Sequence, residues 1–236
     1  MENKYRVLVG CPTSDYKSYC LEEYATSVKS LTYDNYDILL VDNSKDDSYS
    51  EKIKQLGINT IKAEYSERAI DRIVSSRNIL RQSALANNYD YLLSLEQDVI
   101  PPKDVIERLL SCNKKIIAGV YFGTKTRQGE TKLIPYLGNS YQDKYKLLNP
   151  DIIMNNSGLI RVDYCGLGCV LIHKDVLSEV EFKIQQPRKG FDDTLFCQDA
   201  LKKGFEIFAD LSVKCKHLFI NRPWKWTESG NIEWIR

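Results

Sequence analysis

Short apolar runs alternate with amphipathic segments from the start of the chain. Residues 5–10 are an apolar run closed by Cys11-Pro12, which reads as a buried strand with a turn after it. Ser14 or Asp15 opens a helix to about residue 31, with Cys20, Tyr24, Val28 and Leu31 on one face. Residues 36–41 form a second buried strand, and the polar run 42–48 follows it. A short helix stops at Gly57, a residue suited to the position just past a helix end, and 58–61 reads as a third strand. A long helix over about 67–87 buries Ile70, Ile73, Val74, Leu80, Ala84 and Leu85. Strands at 91–95 and 115–122 flank a helix at 103–112, which Pro101 and Pro102 separate from the first of them.

Periodicity weakens over 123–158, a stretch rich in Gly, Asn, Gln, Lys and Tyr, which predicts loops and short strands over a binding face. Order returns with strands at 159–164 and 169–172, a helix at 193–203 ended by Gly204, and strands at 206–209 and 213–218. An aromatic, basic tail, 221–236, closes the chain. Repeated strand–helix units predict an α/β domain with a mostly parallel central sheet covered on both faces. Residues 1–220 read as a single domain, with one half at about 1–122 and the other at about 123–220.

In open α/β sheets, ligands bind beyond the carboxyl ends of the strands. That directs attention to the loops after Val9, Val41 and Leu95. Glu96-Gln97-Asp98 places two acids two residues apart at the end of an apolar strand. Residues i and i+2 of a strand point the same way, so both carboxylates are expected to face one spot at the sheet edge. Like charges so placed call for a cation, and Mg2+ or Mn2+ takes one or two carboxylates together with phosphate oxygens. The alternative is a solvated turn before Pro101. Asp42, at the mouth of its strand, either accepts from a nucleobase or ribose or begins an Asx-turn. His217 is either a packed side chain or a ligand, and His173 has no chemical neighbour in the sequence. Asp192-Asp193 is either a helix cap or a pair in which one acid, its pKa raised by the other, serves as a base. Gly166-Leu167-Gly168 allows close approach of the backbone to a ligand, or simply a tight turn.

Composition adds exclusions. The chain has 236 residues, is 43% hydrophobic and carries 33 Lys and Arg against 32 Asp and Glu, a net charge of +1. That balance lacks the basic excess of a dedicated nucleic-acid binder. No run approaches the ~20 apolar residues of a membrane span. The N-terminus lacks an apolar signal segment, so a cytoplasmic, soluble protein is expected. Seven cysteines without a Cys-x-x-Cys read as buried thiols rather than a zinc site.

The order of the motifs carries more than any one of them. Val-x-Val-Gly-Cys-Pro-Thr (7–13), Leu-Leu-Val-Asp-Asn-Ser (39–44), Ser-Arg-Asn (76–78) and Leu-Glu-Gln-Asp (95–98) come first. Gly-Leu-Gly-Cys-Val-Leu-Ile (166–172), Asp-Asp-Thr-Leu-Phe-Cys (192–197) and His217 follow. This series resembles the family 2-like glycosyltransferases of the GT-A fold. The resemblance implies a metal-dependent hexosyltransferase that uses a nucleotide-diphosphate sugar, with inversion at the anomeric carbon. It implies a first nucleotide loop at Cys11, Pro12 and Thr13, base contact by Asp42, and nucleotide contacts by Arg77, Glu96 and Gln97. Asp98, Glu96 and His217 would hold Mn2+ or Mg2+, with Asp98 the leading ligand, and Asp192 or Asp193 would be the catalytic base. The acceptor is a carbohydrate, lipid or protein that meets 123–158 and the tail, where Trp224, Trp226 and Trp234 offer sugar-stacking faces. Lys214, Lys216, Arg222 and Lys225 suit phosphates or a peripheral contact with an anionic membrane.

Three departures accompany the resemblance: Glu where the first metal-motif acid is usually Asp, Asp-Asp where Glu-Asp is commoner, and a tail without the Gln-x-x-Arg-Trp of processive synthases. A sugar-nucleotide nucleotidyltransferase is the runner-up, although Gly10 to Asp15 lacks that class's basic phosphate loop. A non-catalytic nucleotide-sugar-binding domain is the third reading.

Overall fold

The computed structural model describes residues 5–141, 144–184, 191–218, 220, 224–226 and 232–234. Strand β1 (Val7–Thr13) leads through a 3-10 helix, Asp15–Cys20, into α1 (Leu21–Lys29) and back to β2 (Tyr36–Asp42), parallel to β1. Helix α2 (Ser48–Gln55) connects to β3 (Asn59–Lys62), parallel to β2. Helix α3 (Ala69–Ala86) then crosses to β4 (Tyr91–Leu95), parallel to β1 on its other side. Next come β5 (Val99–Ile100), α4 (Val105–Ser111) and β6 (Ile116–Val120).

The excursion expected from the weak periodicity is ordered: a hairpin of β7 (Phe122–Arg127) and β8 (Glu130–Pro135), then β9 (Leu137–Tyr141), β10 (Lys144–Leu147) and α5 (Pro150–Asn155). The chain returns through β11 (Leu159–Val162), β12 (Tyr164–Cys165), β13 (Cys169–His173), α6 (Lys174–Glu179) and α7 (Asp192–Lys202). It ends with β14 (Ile207–Lys214), β15 (Lys216–His217) and a hairpin of β16 (Trp224–Trp226) with β17 (Ile232–Trp234).

The central sheet has eight strands in the order β11-β14-β6-β13-β4-β1-β2-β3. Antiparallel β13 is inserted between β6 and β4, so both halves of the chain share one sheet. Apolar residues alternate between two cores. In β13, Val170 and Ile172 join Leu80, Val176 and Phe196 on one face, while Cys169 and Leu171 join Tyr24, Ile53 and Ile106 on the other. A sheet buried on both faces explains the unbroken apolar runs.

Several elements depart from expectation for physical reasons. β1 runs on through Pro12 to Thr13, paired with β2, because its pairing with β4 ends at Gly10 and beyond it the β4 side demands no N–H. The helix expected from residue 14 begins as a 3-10 turn, because Cys20 has φ −120° and ψ 6° and breaks the α geometry. The boundary between the last two expected strands falls elsewhere: β14 runs on from Ile207 to Lys214, with a register shift near Asp210, whose Oδ1 accepts from the Ser212 N–H and hydroxyl, and only 216–217 form a separate strand, β15. Helix α6, which sequence reading misses, is capped by His173, whose Nδ1 accepts from Asp175 N at 3.2 Å. Six of the seven cysteines are buried and all are free thiols, as expected. Among the described residues no helix is long and apolar enough to cross a membrane.

Candidate active site

The strand ends bring the predicted acids to one edge of the sheet. β4 stops at Leu95, and residues 96–98 turn, with Val99 N donating to Glu96 O at 2.9 Å. Strand alternation no longer applies there, so the two carboxylates part instead of facing one ion. Glu96 accepts from Arg77 Nη2 at 2.5 Å, whereas Asp98 pairs with Lys17 and His217. Among the described residues no group of three His, Cys, Asp or Glu side chains forms a metal cage. Of the three sequence-predicted metal ligands, the fold brings Asp98 and His217 into contact, while Glu96 pairs with Arg77.

Asp98 and His217 come together through the small sheet in which His217 lies opposite Val99. Leu218 N donates to Asp98 O at 2.6 Å and locks this register. His217 Nδ1 lies 2.9 Å from Phe122 O, and Nε2 lies 3.3 Å from Asp98 Oδ2. A carbonyl only accepts, so Nδ1 carries the proton. Nε2 then faces a carboxylate oxygen. Burial alone would raise the Asp98 carboxyl, but the His217 hydrogen bond and the charges of Lys17 and His217 hold it well below the usual carboxylate range. Asp98 Oδ1 is buried and has no hydrogen-bond partner. An orphaned carboxylate oxygen, with a histidine ring nitrogen at 3.3 Å from the other oxygen of the same carboxylate, fits a hard divalent cation that completes its shell with phosphate oxygens.

Arg77 occupies the middle of the site and is 3% exposed. Nε donates to Asp192 Oδ2 at 2.7 Å, Nη1 to Ser94 Oγ at 2.9 Å and Nη2 to Glu96. Three of its five N–H donors are directed at protein groups, so Arg77 ties the acidic turn to the start of α7. Gln97 is 1% exposed and shares its carboxamide with Thr13, Tyr49 and the carbonyl of Lys17. Asp42 is fully buried; Oδ1 accepts from Ser44 N and Ser44 Oγ, and Oδ2 accepts from Ser50 Oγ. It is an Asx-turn residue, and the adjacent Asn43 faces the cavity instead.

At the first turn of α7 the two aspartates separate. Asp192 faces Arg77, and Asp193 Oδ2 accepts from the Tyr164 hydroxyl at 2.8 Å while Oδ1 accepts from Thr194 N at 2.6 Å. Burial raises the Asp193 carboxyl; the Tyr164 hydrogen bond opposes this, the Asp192 charge adds to it, and the net shift is upward. A carboxylate with raised pKa is a stronger proton acceptor than an ordinary one, and Asp192 is engaged by Arg77.

Gly166 and Gly168 serve packing. A Cβ at Gly168 would lie 2.6 Å from Tyr121 Cζ, and one at Gly166 would strike the Tyr121 hydroxyl. That hydroxyl accepts from Gly168 N at 2.9 Å, and Gly168 O accepts from Glu96 N at 3.0 Å. The glycine turn thus positions the acidic turn through Tyr121 rather than approaching a ligand.

A cavity of about 520 Å³ opens beside the acids, walled by Pro12, Thr13, Asn43, Arg72, Glu96 and Gln97. Its size suits a nucleotide. Lys17, Asn43, Arg72 and Tyr164 are site residues that the sequence does not single out. A larger cavity of about 720 Å³ lies along the β7–β8 hairpin and α5, with Leu133, Leu147 and Met154 in its wall and none of the candidate residues. Arg222 lies outside the described residues, as do the side chains of Lys225, Trp224, Trp226 and Trp234. Lys214 donates to Met154 O at 2.6 Å.

A family model described as "Glycosyl transferase family 2" matches residues 17–181. No curated protein matches the chain. Solved structures do. GalNAc-T7 with UDP, GalNAc and Mn2+ aligns with a TM-score of 0.67 at 15% identity, over 93% of this chain and 45% of that one. The mannosyltransferase PcManGT from Pyrobaculum calidifontis, in complex with GDP-Man and Mn2+, gives 0.58 at 13% identity, over 93% and 59%. A197 from STIV gives 0.51 at 15%, over 98% and 94%. This chain thus spans about half the length of the first two. At such identities the likeness establishes the fold, which is GT-A.

Proposed function

This chain belongs to glycosyl transferase family 2, and on that premise we propose that it moves a hexose from a nucleotide-diphosphate donor to an acceptor hydroxyl by one inverting displacement. The observation that carries this reading is the division of labour at α7: Arg77 engages Asp192, and Asp193 remains with a raised pKa.

Asp193 takes the proton from the attacking hydroxyl, a step typically worth about 10²–10⁴-fold in rate. Tyr164 aims the carboxylate by donating to Oδ2, and the Thr194 N–H fixes the other oxygen. Asp192 and Arg77 act as positioning residues. The donor's nucleotide lies in the cavity beside Pro12, Thr13 and Asn43, with Glu96 at its inner wall. Asp98 and His217 hold a divalent cation, Mn2+ or Mg2+, which when bound supplies Lewis-acid stabilisation of the charge left on the diphosphate. The Mn2+ in the GalNAc-T7 and PcManGT complexes supports this assignment. The acceptor approaches over the β7–β8 side.

The test is release of nucleoside diphosphate from UDP-, GDP- and ADP-hexoses in the presence of Mn2+, with the anomeric configuration of the product read by NMR. One donor class should turn over with inversion, and the Asp193→Asn variant should turn it over at least about a hundredfold more slowly. Equal rates in that variant, or retention of configuration, contradicts the proposal.

A further inference from the structure

Lys17 is a charged group at the site that the proposed reaction leaves unused. The 3-10 helix fixes its backbone: Lys17 N donates to Ser14 O at 2.8 Å, and its carbonyl accepts from Gln97 Nε2 at 2.7 Å. The side chain is less constrained, 35% exposed and part of the nucleotide cavity wall. Its ammonium pairs with Asp98 Oδ2, the same oxygen that faces His217 Nε2. Asp98 itself is only 5% exposed, and its Oδ1 has no partner.

An ammonium therefore already rests on the carboxylate that a divalent ion would bind, on the oxygen that faces His217 Nε2. Two cations crowded onto one carboxylate repel each other strongly. A metal entering against Asp98 and His217 must push the ammonium away. Among the described residues, Asp98 is the ion-pair partner of Lys17, so the displaced ammonium loses its paired anion and keeps only the weaker pull of Glu96, which Arg77 already engages. The long stem of a lysine lets the head swing into the cavity while the backbone stays fixed. A diphosphate in that cavity restores an anion to it.

We propose that Lys17 is a resident counter-ion for Asp98 that the divalent cation displaces, and that the freed ammonium then takes a diphosphate oxygen of the donor. Metal and donor consequently bind cooperatively, and neither binds well alone. The inference rests on the reading of Asp98 and His217 as the cation site.

The test is Mn2+ binding, followed by the EPR signal of free Mn2+, with and without UDP or GDP and corrected for the Mn2+–nucleotide complex formed in buffer. Wild type, Lys17→Met, Lys17→Arg and Asp98→Asn are compared, each checked for folding by circular dichroism. Wild type should bind Mn2+ weakly alone and about tenfold or more tighter with one diphosphate, within the usual range of coupling between sites. Lys17→Met should bind Mn2+ alone about tenfold tighter than wild type and lose most of the nucleotide coupling. Lys17→Arg, which keeps the charge, should behave like wild type, and Asp98→Asn should lose Mn2+ altogether. Equal Mn2+ affinity in wild type and Lys17→Met overturns the inference and leaves the cation site standing. No Mn2+ binding in either, with or without nucleotide, overturns both.

Discussion

Arg77 Nε donates to Asp192 Oδ2 at 2.7 Å, joining residues 115 positions apart. The same guanidinium reaches Glu96, so one buried cation connects the acidic turn after β4 to the first turn of α7. These two parts of the site are held in register by that side chain.

Removing this cation leaves two acids without their counter-charge, and Asp192 is buried with it. Breaking a buried pair by deleting one partner typically costs about 3–5 kcal/mol. Arg77→Met should lose stability of that order in a urea titration, with Glu96, which is 32% exposed on its side chain, contributing less than Asp192. Arg77→Lys should recover only part of the loss, because one ammonium cannot reproduce the planar fork.

Asp193 and Asp192 should separate kinetically. Asp193→Asn should lower kcat by about 10²–10⁴-fold with an unchanged melting temperature or a slightly raised one, since a buried carboxylate is replaced by a neutral amide. Asp192→Asn should lower stability and activity together, because it uncouples Arg77. A kcat for Asp193→Asn within threefold of wild type would remove that residue from the chemistry.

The pH dependence follows from the same group. Asp193 must be ionised to accept a proton, and its pKa is raised, so the acid limb of kcat should lie above the ordinary carboxylate range. The Tyr164 hydrogen bond favours the ionised form. Tyr164→Phe should therefore shift the limb to higher pH, whereas a purely structural role for Tyr164 would leave it in place.

Gly168→Ala tests the packing of the glycine turn. Its Cβ would lie 2.6 Å from the Tyr121 ring, which has no free space behind it at 4% exposure. Overpacking of this kind typically costs about 1–3 kcal/mol. The combination with Tyr121→Leu should be closer to additive in cavity cost than in clash, so the double variant should lose less stability than the sum of the single ones.

The general architecture is legible in the sequence because a sheet buried on both faces writes itself as apolar runs separated by helical stripes. Leu92 and Leu93 point to opposite cores and are both apolar, so no alternation is needed to find β4. The positions of the acids are legible for the same reason, since they close those runs. Their partners are not. Glu96 and Asp98 diverge because β4 ends at Leu95, before either acid, so strand alternation does not govern them. Asp42 turns inward to Ser44 and Ser50, a choice between two hydrogen-bonding environments that only the fold decides. Lys17 reaches Asp98 because the first turn of its helix is 3-10, and residue spacing carries no mark of that. Tyr164 meets Asp193 across 29 residues through a strand only two residues long, too short to show a period.

The central claim is that this site binds a nucleotide-diphosphate sugar through a divalent cation at Asp98 and His217. A thermal-shift panel of UDP-, GDP- and ADP-sugars, each with and without Mn2+, tests it most directly. Ligand at 100 times its dissociation constant should add about 2.7 kcal/mol to the folded state. One nucleotide class should raise the melting temperature only when Mn2+ is present. Asp98→Ala should abolish the gain and Asp193→Asn should preserve it. A shift of equal size without metal or in Asp98→Ala, or no shift with any donor, would contradict the claim.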